Sequence, residues 1–313
     1  MASLYFFKNA LNFYYFHEKI KMKVSGFTFI RNAIKYDYPV LEAIKSLLPL
    51  VDEMIVAVGN SDDDTRALIE SINDAKIKII DTVWDENNRN GGAVLAVETD
   101  KAFAAISNDS DWAFYLQGDE CLHEQDYATI KSEMVKYKDN KKVHGLLFKY
   151  KHFFGNYSYL GAGKNWYRDE IRIIKNNKNI MSWRDAQGFR FMDKTKLKVK
   201  RIDAFIYHYG WVKHPKVAQQ KHVNFLKINK PEYVVTEEAL QADYDYHHID
   251  KLALFVGTHP AVIKDKIKKV NWDFEFDTTK TVRKNMKFKH KVAFFIESIT
   301  GYRVGEYKNY KVI

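Results

Sequence analysis

Between Lys23 and Ile80 the chain alternates twice between a short β-forming run and an amphipathic helix, and this rhythm restricts its fold more than any other feature. Lys23 to Ile30 reads as a strand, with Val24, Phe27 and Phe29 among β-formers. Tyr38 to Leu48 reads as a helix: Pro39 suits its first turn, and Val40, Leu41, Ile44, Leu47 and Leu48 form an apolar stripe. Met54 to Val58 is short and wholly apolar, as expected of a strand covered on both faces. Asp62 to Thr65 can cap a second helix carrying Ala67, Leu68 and Ile72, and Lys76 to Ile80 reads as a third strand. Strands joined by helices through short connections predict a parallel sheet with helices on both faces, an α/β, Rossmann-like fold.

The pattern continues. Gly91 and Gly92 open a helix striped by Leu95, Ala102, Phe103 and Ile106. Trp112 to Leu116 is a fourth strand, followed by a helix over 125–138 and a strand over 145–150. The region 152–201 reads as loop-rich, with short strands near Ile171–Ile174. Ala204 to Tyr209 reads as a strand and Pro215 to Ile228 as a helix. From Tyr233 onward only patches of helix are expected, in a basic C-terminal extension over 231–313.

The chain has 313 residues, 46% of them apolar and 29% charged, so a large core is expected and disorder is not. Cys121 is the only cysteine, which excludes an internal disulfide and a thiolate zinc site and fits a reducing, cytoplasmic setting. The formal net charge is +10, and from Lys264 onward thirteen Lys/Arg face six Asp/Glu. Such a tail is either a solvated basic surface or a peripheral contact with phosphate or acidic lipid at the inner membrane face. No run is long and apolar enough to span a bilayer. Residues 1–21 are read as an interfacial helix, with Phe6, Phe13 and Tyr14 on one side, or as an artefact of start-site choice, since Met22 precedes the first strand; the second fits better.

The sharpest chemical feature is Trp112 to Glu120, "WAFYLQGDE", an apolar strand that ends abruptly in acid. The carboxyl ends of strands in an open α/β sheet face the ligand crevice. A hard divalent cation, held by one or two carboxylates and completed by phosphate oxygens, gives such acids a partner. The plain alternative is a solvated turn whose acids favour the next helix start. An Asp119 turned from any cavity, or locked onto a lysine inside the fold, would collapse the enzymatic reading.

Strand plus "QGDE" resembles the Asp-x-Asp element of glycosyltransferase family 2. "VSGFTFIRNA", "MIVAVGNSDDDT" and "NRNGGAVLAVETDKAFA" are similar to that family's first strand, second-strand loop and helix entry, in the same order over residues 24–120. "IYHYGW" extends the likeness to about residue 230. The resemblance implies an A-type glycosyltransferase fold, with a catalytic domain over 22–230 divided into a nucleotide-binding half (22–120) and an acceptor-binding half (121–230). It also implies a nucleotide-sugar donor, Mg²⁺ or Mn²⁺ on the diphosphate, and inversion at the anomeric carbon. Asp119 matches the metal-binding acid, and His208 matches a late histidine of the metal shell. Gln117 stands where the family's first acid usually stands, and Val58 and Gly59 where it often reads the base, which puts the nucleotide in doubt; UDP is the first expectation.

The remaining site expectations come from residue chemistry beside that likeness. Phe29 can stack on a base. Arg89 and the amides of Gly91 and Gly92, at a helix start, suit a diphosphate. The resemblance adds Arg31, Asn32, Asp63 and Gly118 to the expected donor set. An inverting transfer needs a general base near the acceptor hydroxyl. Asp185 in "SWRDAQGFR" is the first candidate, with Asp169 and Glu170 as competitors. Trp166, Tyr167 and Arg184 are expected to contact a saccharide or lipid-linked acceptor, on an aromatic platform spanning Phe153 to Trp166. Two other functions remain open: a nucleotidyltransferase, which wants glycines after the first strand that "FTFIRNA" lacks, and a carbohydrate- or nucleic-acid-binding module, which the acidic strand end argues against for nucleic acid.

Overall fold

The computed structural model describes residues 22–88, 90–163, 166–230, 232–249, 251–279, 292, 295–297, 299–301 and 303–313. The expected interfacial segment 1–21 and Arg89 lie outside the described residues.

Strand β1 (Val24–Ile30), helix α1 (Val40–Leu47), β2 (Glu53–Gly59), α2 (Thr65–Glu70) and β3 (Ile77–Thr82) follow the expected alternation. The three strands are parallel, with Phe27 opposite Ile55 and Ile55 opposite Lys78. Helix α3 (Ala93–Ala104) then returns the chain to the other side of β1, where β4 (Trp112–Tyr115) pairs in parallel, Tyr115 opposite Phe27. The order is therefore β3-β2-β1-β4, and the direction of travel reverses between β1 and β4. A reversal of this kind opens a crevice beyond the carboxyl ends of the two strands.

Past β4 the sheet becomes mixed. β4 runs antiparallel to β8 (Asp169–Lys175), which pairs with β6 (Gly145–Phe154), then β7 (Asn156–Gly161) and β12 (Leu252–Leu254). The fifteen-residue β11 (Leu197–Trp211) lies parallel to β6 and carries β5 (Glu120–Leu122) and β13 (Tyr310–Val312). A separate hairpin joins β9 (Ile180–Trp183) to β10 (Gly188–Phe191).

Every residue of β4 is buried, because the sheet is covered twice. Trp112 and Phe114 pack with α1 residues Val40, Ile44 and Leu47 and with Ile130 and Met134 of helix α4 (Tyr127–Tyr137). Ala113 and Tyr115 face the opposite side, against Phe103 of α3 and Phe189 of β10.

One expectation needs correction. The region 152–201 is mostly strand, not loop. Its strands mix charge into buried positions, as in "DEIRIIK", where Glu170 and Arg172 are buried beside Ile171 and Ile173, so neither apolar run nor alternation is visible. The C-terminal region has helix in patches among the described residues of 231–279, the α-helices Glu237–Gln241 and Lys264–Lys268 and the 3₁₀ turns Tyr246–His248 and Ala261–Ile263. Residues beyond 230 also supply β12 and β13 to the main sheet.

Arg172 and Glu120 form a fully buried ion pair, with Nε donating to Oε2 at 2.8 Å and Nη2 to Oε1 at 2.7 Å. The Tyr150 hydroxyl donates to Glu120 Oε1 at 2.8 Å, and Arg172 Nη1 donates to the Gln187 carbonyl at 2.8 Å. Removing one member strands a buried charge, so Arg172→Met is expected to cost about 3–5 kcal/mol in urea unfolding. The double variant with Glu120→Leu should recover most of that loss. Equal instability of the single and double variants would show that packing, not charge pairing, dominates here.

Candidate active site

A cavity of about 470 Å³ opens at the reversal point, beyond the ends of β1 and β4. The end of β1 contributes Phe29, Arg31 and Asn32, and the end of β4 contributes Gln117, Gly118 and Asp119. These six expected residues are thus brought together. Phe29 meets Trp84 at 5.8 Å between ring centroids, and the Arg31 guanidinium lies 5.5 Å from the centre of the Trp84 ring. A methyl group on Gly59 would come within 2.3 Å of Trp84 Nε1, so the indole stacks directly on the end of β2 where the family's base-reading acid would stand.

Asp119 faces the cavity but is not free. Its Oδ2 lies 3.1 Å from Lys221 Nζ, on helix α5 (Pro215–Asn229), and 3.7 Å from His208 Nε2 on β11. Burial pushes the Asp119 carboxyl up, but Lys221 and then His208 outweigh it and hold the group well below the usual carboxylate range. The lysine contact is one of the two arrangements set against the enzymatic reading, and it also weighs against a bare metal site. The pair nevertheless sits in the cavity wall, since both residues line it.

The hydrogen bonds behind His208 fix its tautomer. The Tyr167 carbonyl can only accept, so His152 Nε2, 2.8 Å away, carries a proton. Burial pushes His152 well below the usual imidazole range and keeps it neutral, leaving Nδ1 to accept from His208 Nδ1–H at 3.0 Å. With Nδ1 committed to His152, His208 turns its Nε2 towards Asp119. In a neutral ring that nitrogen and the carboxylate, 3.7 Å apart, suit a shared cation, since donors of each type sit about 2.1 Å from such an ion. A Cβ built on Gly210 would meet Asp119 Oδ2 at 2.6 Å, His208 Nε2 at 2.7 Å and Lys221 Nζ at 2.9 Å, so all three converge on one small space. Among the described residues no group of three His, Cys, Asp or Glu could hold a metal alone, so substrate oxygens must complete any shell.

A second cavity, about 520 Å³, lies alongside and is lined by Trp166, Tyr167, Arg184, Arg303 and Tyr307. The three expected acceptor residues meet there. Gln117 and Asp185 line both cavities. Asp185 tops the β9–β10 turn between Arg184 and Ala186, both in the left-handed region at φ 59° and 61°. Non-glycine residues rarely adopt this conformation, and here it aims the carboxylate at the shared wall. Burial raises the Asp185 carboxyl above its ordinary value. Gln117 Nε2 donates to the Ala186 carbonyl at 3.2 Å, a bond that a carboxylate at position 117 could not make.

Other expected residues are placed differently. Asp63 is absent from the residues lining the cavity; it accepts from the Lys35 and Thr65 amides at 2.8 and 3.0 Å and ties the loop after β1 to the start of α2, while Asp62 lines the cavity in its stead. Gly91 and Gly92 do not line the cavity either; Val94 and Leu95 of the same helix do. Gly92 (φ 75°) instead gives room to Asp185, whose Cβ would be 2.7 Å from any side chain there. In the aromatic platform, Phe154 and Tyr159 pack into a cluster with Tyr246 and Phe274, and of this segment Trp166 lines the second cavity. Asp169 is paired with Arg201 at 2.6 Å, and Glu170 is buried; neither lines a cavity. Sequence reasoning missed Trp84 and Lys221. Lys221, Asn224, Phe225 and Ile228 line the cavity from one face of α5.

Glu170 gives a pH test. Burial pushes its carboxyl up to about 8 from an ordinary 4.5, and its Oε2 has no hydrogen-bond partner. The folded protein then holds a proton that the unfolded chain releases, so stability falls as pH rises through that window. Glu170→Gln is expected to flatten the decline in Tm between about pH 5 and 8. Parallel Tm profiles for wild type and variant would contradict the buried proton.

No protein-family profile and no curated protein matches the chain. Solved structures do overlap with parts of it. The chain is similar to glucosyl-3-phosphoglycerate synthase from Mycobacterium tuberculosis, solved with Mn²⁺, uridine diphosphate and phosphoglyceric acid, at 17% identity and TM-score 0.30 over 43% of this chain and 44% of that one. It is similar to residues 1–349 of S. aureus TarS at 11% identity and TM-score 0.34, over 70% and 69% of the two chains. A 4-diphosphocytidyl-2C-methyl-D-erythritol synthase from Anaerococcus prevotii overlaps at 13% identity and TM-score 0.31, over 50% and 70%. The chain thus spans less than half the length of the first of these. At such scores the likenesses decide nothing about chemistry, which rests on the two joined cavities and the groups in their walls.

Proposed function

We propose that this chain is an inverting glycosyltransferase that moves a sugar from a nucleotide-sugar, UDP-linked in the first instance, to a saccharide or lipid-linked acceptor. One observation carries the reading: two cavities of substrate size share a wall made by Asp185 and Gln117, with Asp119 at the strand end of the first. Two reactants can meet across that wall without either leaving its own chamber.

The nucleotide lies in the first cavity, its base near Phe29 and Trp84 and its diphosphate towards Asp119, Lys221 and Arg31. Asp119 and His208 would hold Mg²⁺ or Mn²⁺ there, which when bound neutralises the charge that develops on the departing diphosphate. Trp166 and Tyr167 offer an aromatic surface to the acceptor in the second cavity. Asp185 accepts the proton of the acceptor hydroxyl as that oxygen attacks the anomeric carbon, and its raised pKa brings it closer to the working pH of a general base. The C–O bond to the acceptor forms as the bond to the diphosphate breaks, on opposite faces of the sugar.

A nucleotidyltransferase reading has less support here, because it gives no role to a carboxylate shared by two chambers. Asp185→Asn is expected to lower transfer by at least about a hundredfold while donor-nucleotide affinity stays within about twofold. Nucleotide release from a panel of UDP-, GDP- and CMP-sugars, together with nucleotide affinity by calorimetry, measures both quantities. Wild-type turnover in Asp185→Asn would remove the base assignment.

A further inference from the structure

We propose that Lys221 is a resident counter-cation that holds the place beside Asp119 until a nucleotide diphosphate arrives, so that a divalent ion and the nucleotide enter the site together. The inference rests on the Asp119–His208 cation site proposed above.

Lys221 Nζ is held on several sides. It donates to Asp119 Oδ2 at 3.1 Å and to the Gly210 carbonyl at 2.8 Å, and it sits 4.9 Å and 5.3 Å from the ring centres of Tyr38 and Trp211. The Lys221 and Asp119 side chains are only 12% and 11% exposed. The point beside Gly210 on which Asp119, His208 and Lys221 converge is the point a cation would take, and the ammonium already stands at its edge. The neighbouring Lys213 cannot substitute for it, because that side chain is buried and gives its Nζ to the Asp37 carbonyl at 2.7 Å.

An ion arriving alone must separate Lys221 from its carboxylate and leave an ammonium with no anion in a nearly closed place, which is costly. A diphosphate removes that penalty. Its oxygens give Lys221 a new partner within the same cavity and at the same time complete the shell of the ion at Asp119. The other cations lining the cavity have partners of their own, Arg31 and Lys227 with Glu86 at 3.1 and 3.5 Å and Lys35 with Asp62 at 2.5 Å. The exchange therefore falls on Lys221, and it makes ion and nucleotide each tighten the other's binding by the same factor.

The test is Mn²⁺ binding to the full chain, followed by calorimetry and by the electron paramagnetic resonance of free Mn²⁺, without nucleotide and with saturating UDP. Lys221→Met and Lys221→Gln are compared with wild type, and thermal unfolding confirms that each is folded. Both variants are expected to bind Mn²⁺ alone on the order of tenfold more tightly than wild type, with a smaller further gain from UDP. Mn²⁺ affinity without nucleotide that is no higher in both variants than in wild type overturns the role of Lys221. Asp119→Asn separates this from failure of the cation site itself. If that variant binds Mn²⁺ as wild type does, or if no protein binds Mn²⁺ even with UDP, the Asp119–His208 site is wrong and the exchange falls with it.

Discussion

The ion pair between Glu120 and Arg172 organises the cavity end of the sheet. It lies fully buried where β4 leaves the parallel half and β8 begins the antiparallel half. Glu120 also accepts from the Gln117 amide at 3.1 Å, which curls "QGDE" back on itself and turns Asp119 outward to the cavity. On the other side Arg172 holds the Gln187 carbonyl, at the foot of the turn bearing Asp185. Both carboxylates assigned to chemistry are therefore suspended from one buried charge pair. A pair of this kind adds little net stability over a well-packed apolar core, and its use here is geometric.

The electrostatics of the first cavity follow from the same arrangement. A strand end that brings Asp119 into a closed wall must also supply positive charge, and α5 does so with Lys221. His208, with Nδ1 committed to His152, turns its Nε2 to the same carboxylate. Asp119 is thus the acid on which Lys221 and His208 both close.

The parallel half was legible because its strands are short, apolar and separated by striped helices. β2 is buried along its whole length, and its sequence contains almost nothing else. The second half was not legible because buried charge and aromatic clustering replace simple periodicity there. β8 buries Glu170 and Arg172 among isoleucines, and such a strand looks like surface until its partners are known. At the cavity, expected residues at or just past strand ends come together, Phe29, Arg31, Asn32, Gln117 and Asp119, with His208 of β11 beside them. Expected residues on loops lie elsewhere. Asp63 ties two loops together through backbone amides, and Gly92, just before α3, makes room for Asp185. Lys221 was overlooked because a lysine on a helix face is ordinary, and only the fold shows which acid it faces.

The shared wall at Asp185 and Gln117 has a consequence for economy. If Asp185 deprotonates an acceptor hydroxyl as proposed, it will do the same for a water molecule standing in the second chamber. On that proposal, activated sugar would leak to hydrolysis in proportion to the time the second chamber stands without an acceptor.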